Sequence, residues 1–509
     1  MEHGVTEHLD VLVVGAGLSG IAAGHHLQTT CPWATYAIFE GRDAIGGTWD
    51  LFRYPGIRSD SDMYTLGYPF RPWKEPQSVA DGGPILDYIA QTAAEEGIDA
   101  HIRFRHRVVS LDWRSDEARW HVVAETEGGE VELTCGFVMS CTGYYRYDHG
   151  YTPDFAGMDD YLGRLIHPQQ WPDDLDYEGR SVVVIGSGAT AVTLVPAMAP
   201  TAGHVTMLQR SPTWMAAGPR ENPVAQLLER VLPDRIAGHA VRWMHALGTQ
   251  AFYAFCQRFP KLAGRILLRG VASELPDGYD IDTHFTPRYD PWDQRLCLVT
   301  DGDLFREIRR GRVSVVTDTI DTFTDKGLLL DSGEELEADI IITATGLELL
   351  FLGGIELSVD GEAVDITQRL TYKGMMLEGV PNLAMAVGYT NASWTLKCDL
   401  TCDATARLID QMRDRSITSV TPDSGGAEVT PEPLLGLSAG YVQRALDRLP
   451  LQGSRPPWRV RQSYLADYRA MKLDPVLGEG LSPLYGRADW GAEVQHAEQA
   501  EQAEELEVR

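Results

Sequence analysis

Two stretches of this chain each read strand, glycine turn, helix, strand, and the residues closing their second strands carry opposite charge. The first is Gly15-Ala-Gly17-Leu-Ser-Gly20 behind the apolar run LDVLVV, followed by TYAIFE ending at Glu40. The second is Gly186-Ser-Gly188-Ala189-Thr190-Ala191 behind SVVVI, followed by HVTMLQR ending at Arg210. Glycine at such turns lets backbone N–H groups and a helix start approach a pyrophosphate closely. A carboxylate at the strand end accepts hydrogen bonds from a free ribose diol, whereas a guanidinium pairs with a 2′-phosphate. Glu40 therefore points to FAD in the first unit. Arg210, helped by Ser211, points to NADP in the second, where Gly186, Gly188, Ala189 and Thr190 form the turn. A chain that binds both is read as a redox enzyme.

The pattern implies an α/β fold with two Rossmann-like dinucleotide-binding domains, one for FAD and one for NADP, and a helical insertion in the NADP domain. After each nucleotide unit the sequence alternates as strands and ends in Thr-Gly, at Thr142-Gly143 and Thr345-Gly346, a duplicated plan in which a β-meander returns to the parent sheet. The segment ILDYIAQTAAEEG, residues 85–97, has helical spacing. The expected division is 1–150 and 347–490 for the FAD domain, 151–213 and 291–346 for the NADP domain, 214–290 for the insertion of two or three helices, and 491–509 for an acidic, disordered tail.

With 73 acidic residues against 44 lysines and arginines, the net charge of −29 disfavours nucleic acid and anionic membranes as partners of the whole surface. The arginines and aromatics of the insertion raise the question of membrane contact, but the favoured reading is a packed helical insert with solvated basic faces. No run reaches the length of a transmembrane span, and the first strand begins too early to leave room for a signal peptide. Seven scattered cysteines without a Cys-x-x-Cys pair suggest free thiols and a cytoplasmic protein, and no metal site is expected. A homo-oligomer stays open.

Between the two units lies Tyr161-Leu-Gly163-Arg-Leu-Ile-His167-Pro-Gln-Gln-Trp171-Pro. It closely resembles the fingerprint of the class B flavoprotein monooxygenases, with Tyr161 in place of the usual Phe and Trp171-Pro172 marking the Baeyer–Villiger branch. The loop GGTWDLFRYPGIRSDSDMYTLGY and the segments DPWDQRLCLVTDGDLF and GYTNASWTLK resemble the mycobacterial, ethionamide-activating branch. The resemblance covers nearly the whole chain and fades in the tail. It implies oxidation of ketones to esters or lactones by NADPH and O2 through a peroxyflavin, with sulfide oxygenation as a side activity. Such chemistry requires a fixed cation beside the flavin and exclusion of water.

By resemblance that cation is Arg295, whose charge does not titrate near neutral pH, and Asp60 is the carboxylate that holds it. Gly47, Thr48 and Trp49, together with Asp60, Tyr64 and Asn391, are expected on the flavin side, where a helix start after Thr390-Asn391 would stabilise a reduced ring. Relatives carry a lysine before the catalytic arginine. Here the position is Gln294, so Arg210 should carry more of the NADP discrimination. His167 is read as a hinge anchor rather than a proton-transfer base. Three alternatives remain at this point, the first two being an S- or N-oxygenating flavin monooxygenase and a flavin disulfide reductase using Cys398 and Cys402. A non-catalytic flavin sensor is a third.

Overall fold

The computed structural model describes residues 7–426, 428–436, 438–486 and 490–491, so the expected acidic tail lies outside the described residues except at its start. Strand β1 (His8–Val14) is buried along almost its whole length and feeds helix α1 (Leu18–Thr30), then β2 (Tyr36–Glu40). A strand covered on both faces reads as a continuous apolar run rather than an alternating one. Short helices α2 (Thr48–Leu51) and α3 (Met63–Leu66) follow, then α4 (Gly82–Glu95), which starts three residues before the expected helix, after Asp81.

Strands β3 (Ile102–Phe104), β4 (Arg107–Arg114), β5 (Arg119–Thr126) and β6 (Gly129–Ser140) complete the first unit. The twelve residues of β6 do two jobs: the outer half pairs antiparallel with β5, and the inner half pairs parallel with β1. Its burial pattern changes accordingly, from mostly exposed to fully buried. The meander is thus fused to the dinucleotide sheet, and residues 383–385 and 356–359 add further parallel strands to it.

The second sheet is parallel throughout. Strand β7 (Arg164–Ile166) lies at its edge, followed in sequence by β8 (Ser181–Ile185), helix α5 (Ala189–Met198) and β9 (His204–Gln209). Strand β10 (Met215–Gly218) leads into the insertion, formed by α6 (Pro223–Val231), α7 (Asp234–Arg258), α8 (Pro260–Glu274) and the single turn α9 (Ile281–His284). The chain returns through β11 (Cys297–Thr300), which pairs parallel with β10, and α10 (Asp303–Arg309).

Strand β12 (Val313–Thr317) joins the parallel sheet beside β9. Strands β13 (Ile320–Phe323), β14 (Gly327–Leu330) and β15 (Glu335–Glu337) form a small sheet of their own, and only β16 (Ile340–Thr343) returns between β7 and β8. The duplicated plan therefore differs in one respect: β15 stops at Glu337, so no strand of the second unit is long enough to serve both the meander and the parallel sheet. Helix α11 (Trp394–Asp414) packs against α1 and closes the first unit. The architecture is α/β, with two Rossmann-like units and a helical insertion.

Candidate active site

The first glycine turn is packed against its own scaffold. Gly15 sits at φ +103°, and a Cβ there would meet the Cys141 carbonyl oxygen at 2.5 Å. A Cβ on Gly20 would fall 1.9 Å from the Gly15 carbonyl oxygen, so both positions exclude any side chain. Gly17 differs: its nearest neighbour would be Gly47 Cα at 3.7 Å, an ordinary contact. The protein alone therefore does not require glycine at 17. Open space in front of the α1 N-terminus does, if a pyrophosphate is to approach. Glu40 is buried at the end of β2, its carboxylate accepting the Ala16 and Arg42 backbone N–H groups at 2.8 and 2.9 Å.

The second turn repeats this division of labour. Gly186 sits at φ +138° with the Ala344 carbonyl oxygen 2.4 Å from a would-be Cβ, whereas Gly188 has nothing within 4 Å. Arg210 and Ser211 are exposed just beyond β9, and among the described residues the Arg210 guanidinium makes neither an ion pair nor a hydrogen bond. A free guanidinium at that strand end fits a 2′-phosphate. Both helix starts open onto one cavity of 490 Å³, whose walls include Gly17 and Gly47 from the first unit and Ala189 and Thr190 from the second. Thr48 and Trp49 line it too, and the Thr48 hydroxyl shares a 2.6 Å hydrogen bond with Tyr145.

The loop after α2 is what brings the two units together. Gly56, at φ +78°, lies so close to α5 that a Cβ would meet the Thr193 carbonyl oxygen at 2.6 Å. Arg58 reaches across to Asp303 on α10 at 2.5 Å, with both side chains largely buried. Asp60, two residues on, meets Arg295 at 2.7 Å on the cavity wall, and Arg295 also donates to the Thr390 carbonyl at 3.2 Å. Burial opposes the Arg295 charge, but the facing Asp60 carboxylate outweighs it and moves the guanidinium pKa upward. The cavity thus holds a permanent cation that is fixed by two elements distant in sequence.

In the connecting segment, the Tyr161 hydroxyl donates to the Ala338 carbonyl at 2.8 Å. A Cβ on Gly163 would lie 2.2 Å from that hydroxyl, which explains the aromatic-x-Gly spacing in steric terms. His167 Nε2 donates to the Gly346 carbonyl at 3.2 Å while Nδ1 accepts the Gln169 N–H at 3.1 Å. Since a carbonyl only accepts and an amide N–H only donates, these partners specify the neutral ring with its proton on Nε2. Burial also lowers the His167 pKa. Trp171 packs partly buried against the core of the second unit.

Tyr64 and Asn391 do not line the cavity. Tyr64 lies in α3 with its ring 4.9 Å from His245 of the insertion, and the Asn391 amide donates to the Gln462 carbonyl at 2.9 Å. Helix α11 starts three residues after Asn391, and it is Ala392, Trp394 and Thr395 that face the cavity. Cys398 and Cys402 are buried in α11 and absent from the cavity wall, and burial pushes the Cys398 thiol up to about 12, so neither provides a reactive dithiol there.

Sequence reasoning missed Tyr144, whose ring lies 4.3 Å from Trp394 above the cavity, and Gly150, where a Cβ would strike the His167 ring at 1.9 Å. The Arg58–Asp303 bridge was also missed. Gly150 lies in a run of aromatic and charged residues that gives no local hint of its neighbour.

A family model described as flavin-binding monooxygenase-like matches residues 9–224. The FAD-containing monooxygenase EthA of Mycobacterium tuberculosis is 55% identical over 94% of this chain and 98% of its own length. The probable FAD-binding monooxygenase AlmA of Acinetobacter baylyi is 45% identical over 92% and 94%. Among solved structures, oxidized steroid monooxygenase bound to NADP superposes with a TM-score of 0.77 at 21% identity, covering 94% of this chain and all of the other. Cyclohexanone-bound cyclohexanone monooxygenase gives 0.69 at 22% identity, covering 83% and 90%.

Proposed function

This chain belongs to the family of FAD-containing, flavin-binding monooxygenases, and from that premise we propose that it is an NADPH- and O2-dependent Baeyer–Villiger enzyme converting small-molecule ketones into esters or lactones. The observation that carries the reading is the Arg295–Asp60 pair on a cavity that the helix starts after both glycine turns line. FAD fits the first cradle, where Gly17 leaves room at the α1 N-terminus and Glu40 closes β2, and NADP fits the second, where Gly188 is open and Arg210 is free. Bound there, the flavin supplies O2 activation after reduction by the nicotinamide.

The protein's own residues do the rest. Arg295 offers a guanidinium to the negative charge that builds on oxygen during insertion beside a carbonyl, and a preoriented donor of this kind contributes roughly 10²–10³ in rate. Asp60 and the Thr390 carbonyl hold it in place. The Tyr144 and Trp394 rings cover the chamber and limit water. His167, held as the neutral tautomer, anchors the segment connecting the two units, the place where a hinge motion between the FAD and NADP units would turn. A fixed cation favours ketone over sulfide as substrate, because sulfur attacks a neutral oxidant and gains nothing from it. A reducing, cytoplasmic setting belongs to this reading and is supported by seven free, buried cysteines.

The test is anaerobic NADPH reduction of the FAD-loaded protein, followed by aeration with a ketone and mass detection of the product. We expect Arg295→Ala to keep NADPH-driven flavin bleaching and to lose ester formation by about 10² or more. Ester production near the wild-type rate in that variant, or a purified chain unable to take up FAD, overturns the proposal.

A further inference from the structure

Helix α8 has an anchored face and an unpartnered one. Ala263, Gly264, Leu267 and Val271 are buried toward β10, and a Cβ on Gly264 would sit 2.9 Å from the Trp214 ring, so the helix is held firmly. Turned about a third of a turn away, Phe259 just before the helix and Leu262 and Ile266 within it are 50%, 43% and 51% exposed. At 3.6 residues per turn, positions three and four apart fall on one stripe.

Arg258, Lys261, Arg265 and Arg269 flank that stripe, and no carboxylate intervenes before Glu274. In a chain carrying 73 acidic residues, none of these four cations forms an ion pair among the described residues. Toward the anchored side, Lys261 and Arg265 line a shallow groove of 410 Å³ with Trp214, Gly264, the exposed Arg288 and Asp290. The chain therefore isolates a positive, apolar island on a strongly negative molecule. Uncharged polar side chains, which would dock an acidic protein by directional hydrogen bonds, are missing from residues 258–272.

We propose that the outer face of α8 docks the protein on an anionic phospholipid surface. Phe259, Leu262 and Ile266 enter the boundary between headgroups and acyl chains, while Arg258, Arg265 and Arg269 beside them meet lipid phosphates. No helix among the described residues is long and apolar enough to cross a membrane, so the attachment is peripheral and reversible. Because α8 does not border the 490 Å³ cavity, docking is independent of the oxygenation chemistry.

The experiment is co-sedimentation of the full FAD-loaded chain with phosphatidylcholine vesicles, with and without phosphatidylglycerol, at low and high salt. Binding to the anionic vesicles should be at least about tenfold tighter and should weaken with salt. Both Arg265→Glu/Arg269→Glu and Leu262→Gln/Ile266→Gln should reduce it about tenfold or more, with ketone turnover unchanged. Equal sedimentation with both vesicle types, or full binding by both variants, overturns the proposal. So does a light-scattering dimer that these substitutions abolish in a chain that ignores vesicles, because the face would then bind a second copy.

Discussion

Replacing Gly188 by alanine separates what the fold needs from what the nucleotide needs. The residue has φ −77° and ψ −175°, extended values that alanine adopts without strain, and the added methyl meets no protein atom within 4 Å. Removing a glycine's freedom in the unfolded chain then stabilises by roughly 0.4–1 kcal/mol, which in a protein of this size raises the melting temperature by at most about 2 °C. The same methyl occupies the space in front of the α5 N-terminus where a pyrophosphate must come close. Overpacking of a contact of this kind costs about 1–3 kcal/mol, and at 1.36 kcal/mol per decade the Michaelis constant for NADPH should rise roughly 5- to 150-fold. Thermal melts with and without NADPH, read beside steady-state NADPH oxidation, make the comparison. A Gly188→Ala protein that melts several degrees lower, or that keeps the wild-type NADPH constant, would show that the open space has another purpose.

Gly163→Ala should behave in the opposite way, because its methyl strikes the Tyr161 ring and the Asp339 carbonyl at 2.7 Å; a loss of about 2–4 kcal/mol is expected, seen as a lower denaturant midpoint. Arg210→Ala removes one charge-assisted phosphate contact worth about 1.5–3 kcal/mol, so the NADPH constant should rise by at least about tenfold while the NADH constant stays put, and equal changes with both would refute the assignment. For His167, burial lowers the folded-state pKa below the ordinary 6.5. Its contribution to stability is therefore complete above that value and declines as pH falls below it, when the unfolded chain takes up the proton first. A His167→Gln variant should lose less melting temperature than the wild type between neutral and mildly acidic pH, and identical slopes would count against the neutral-ring anchor.

Those four perturbations touch features of different legibility. The two cradles could be read from the chain because strand, glycine turn, helix and closing charge all lie within a few tens of residues, where backbone geometry and hydrogen bonding act locally. Glu40 and Arg210, closing the two second strands, stood out by charge alone. The segment from Tyr161 to Trp171 was equally visible, though the reason for its spacing, a hydroxyl lying where a Gly163 side chain would be, was not. At Asn391 the helix start is visible in sequence while the direction of the side chain before it is not; its amide donates to the nearby Gln462 carbonyl.

What the order of amino acids determined by itself is the pair of Rossmann-like units, the opposite charges that close their second strands and the helical character of the insertion. Only the folded chain decided that both helix starts share one cavity, that Gly56 and Arg58 press the first unit onto the second, and that Asp60 and Thr390 converge on Arg295. It also decided which face of α8 is buried on β10 and which is left bare. The division has a physical origin: hydrogen-bonded turns and periodic burial are set by neighbours in sequence, whereas a site assembled from residues hundreds of positions apart depends on how whole elements pack.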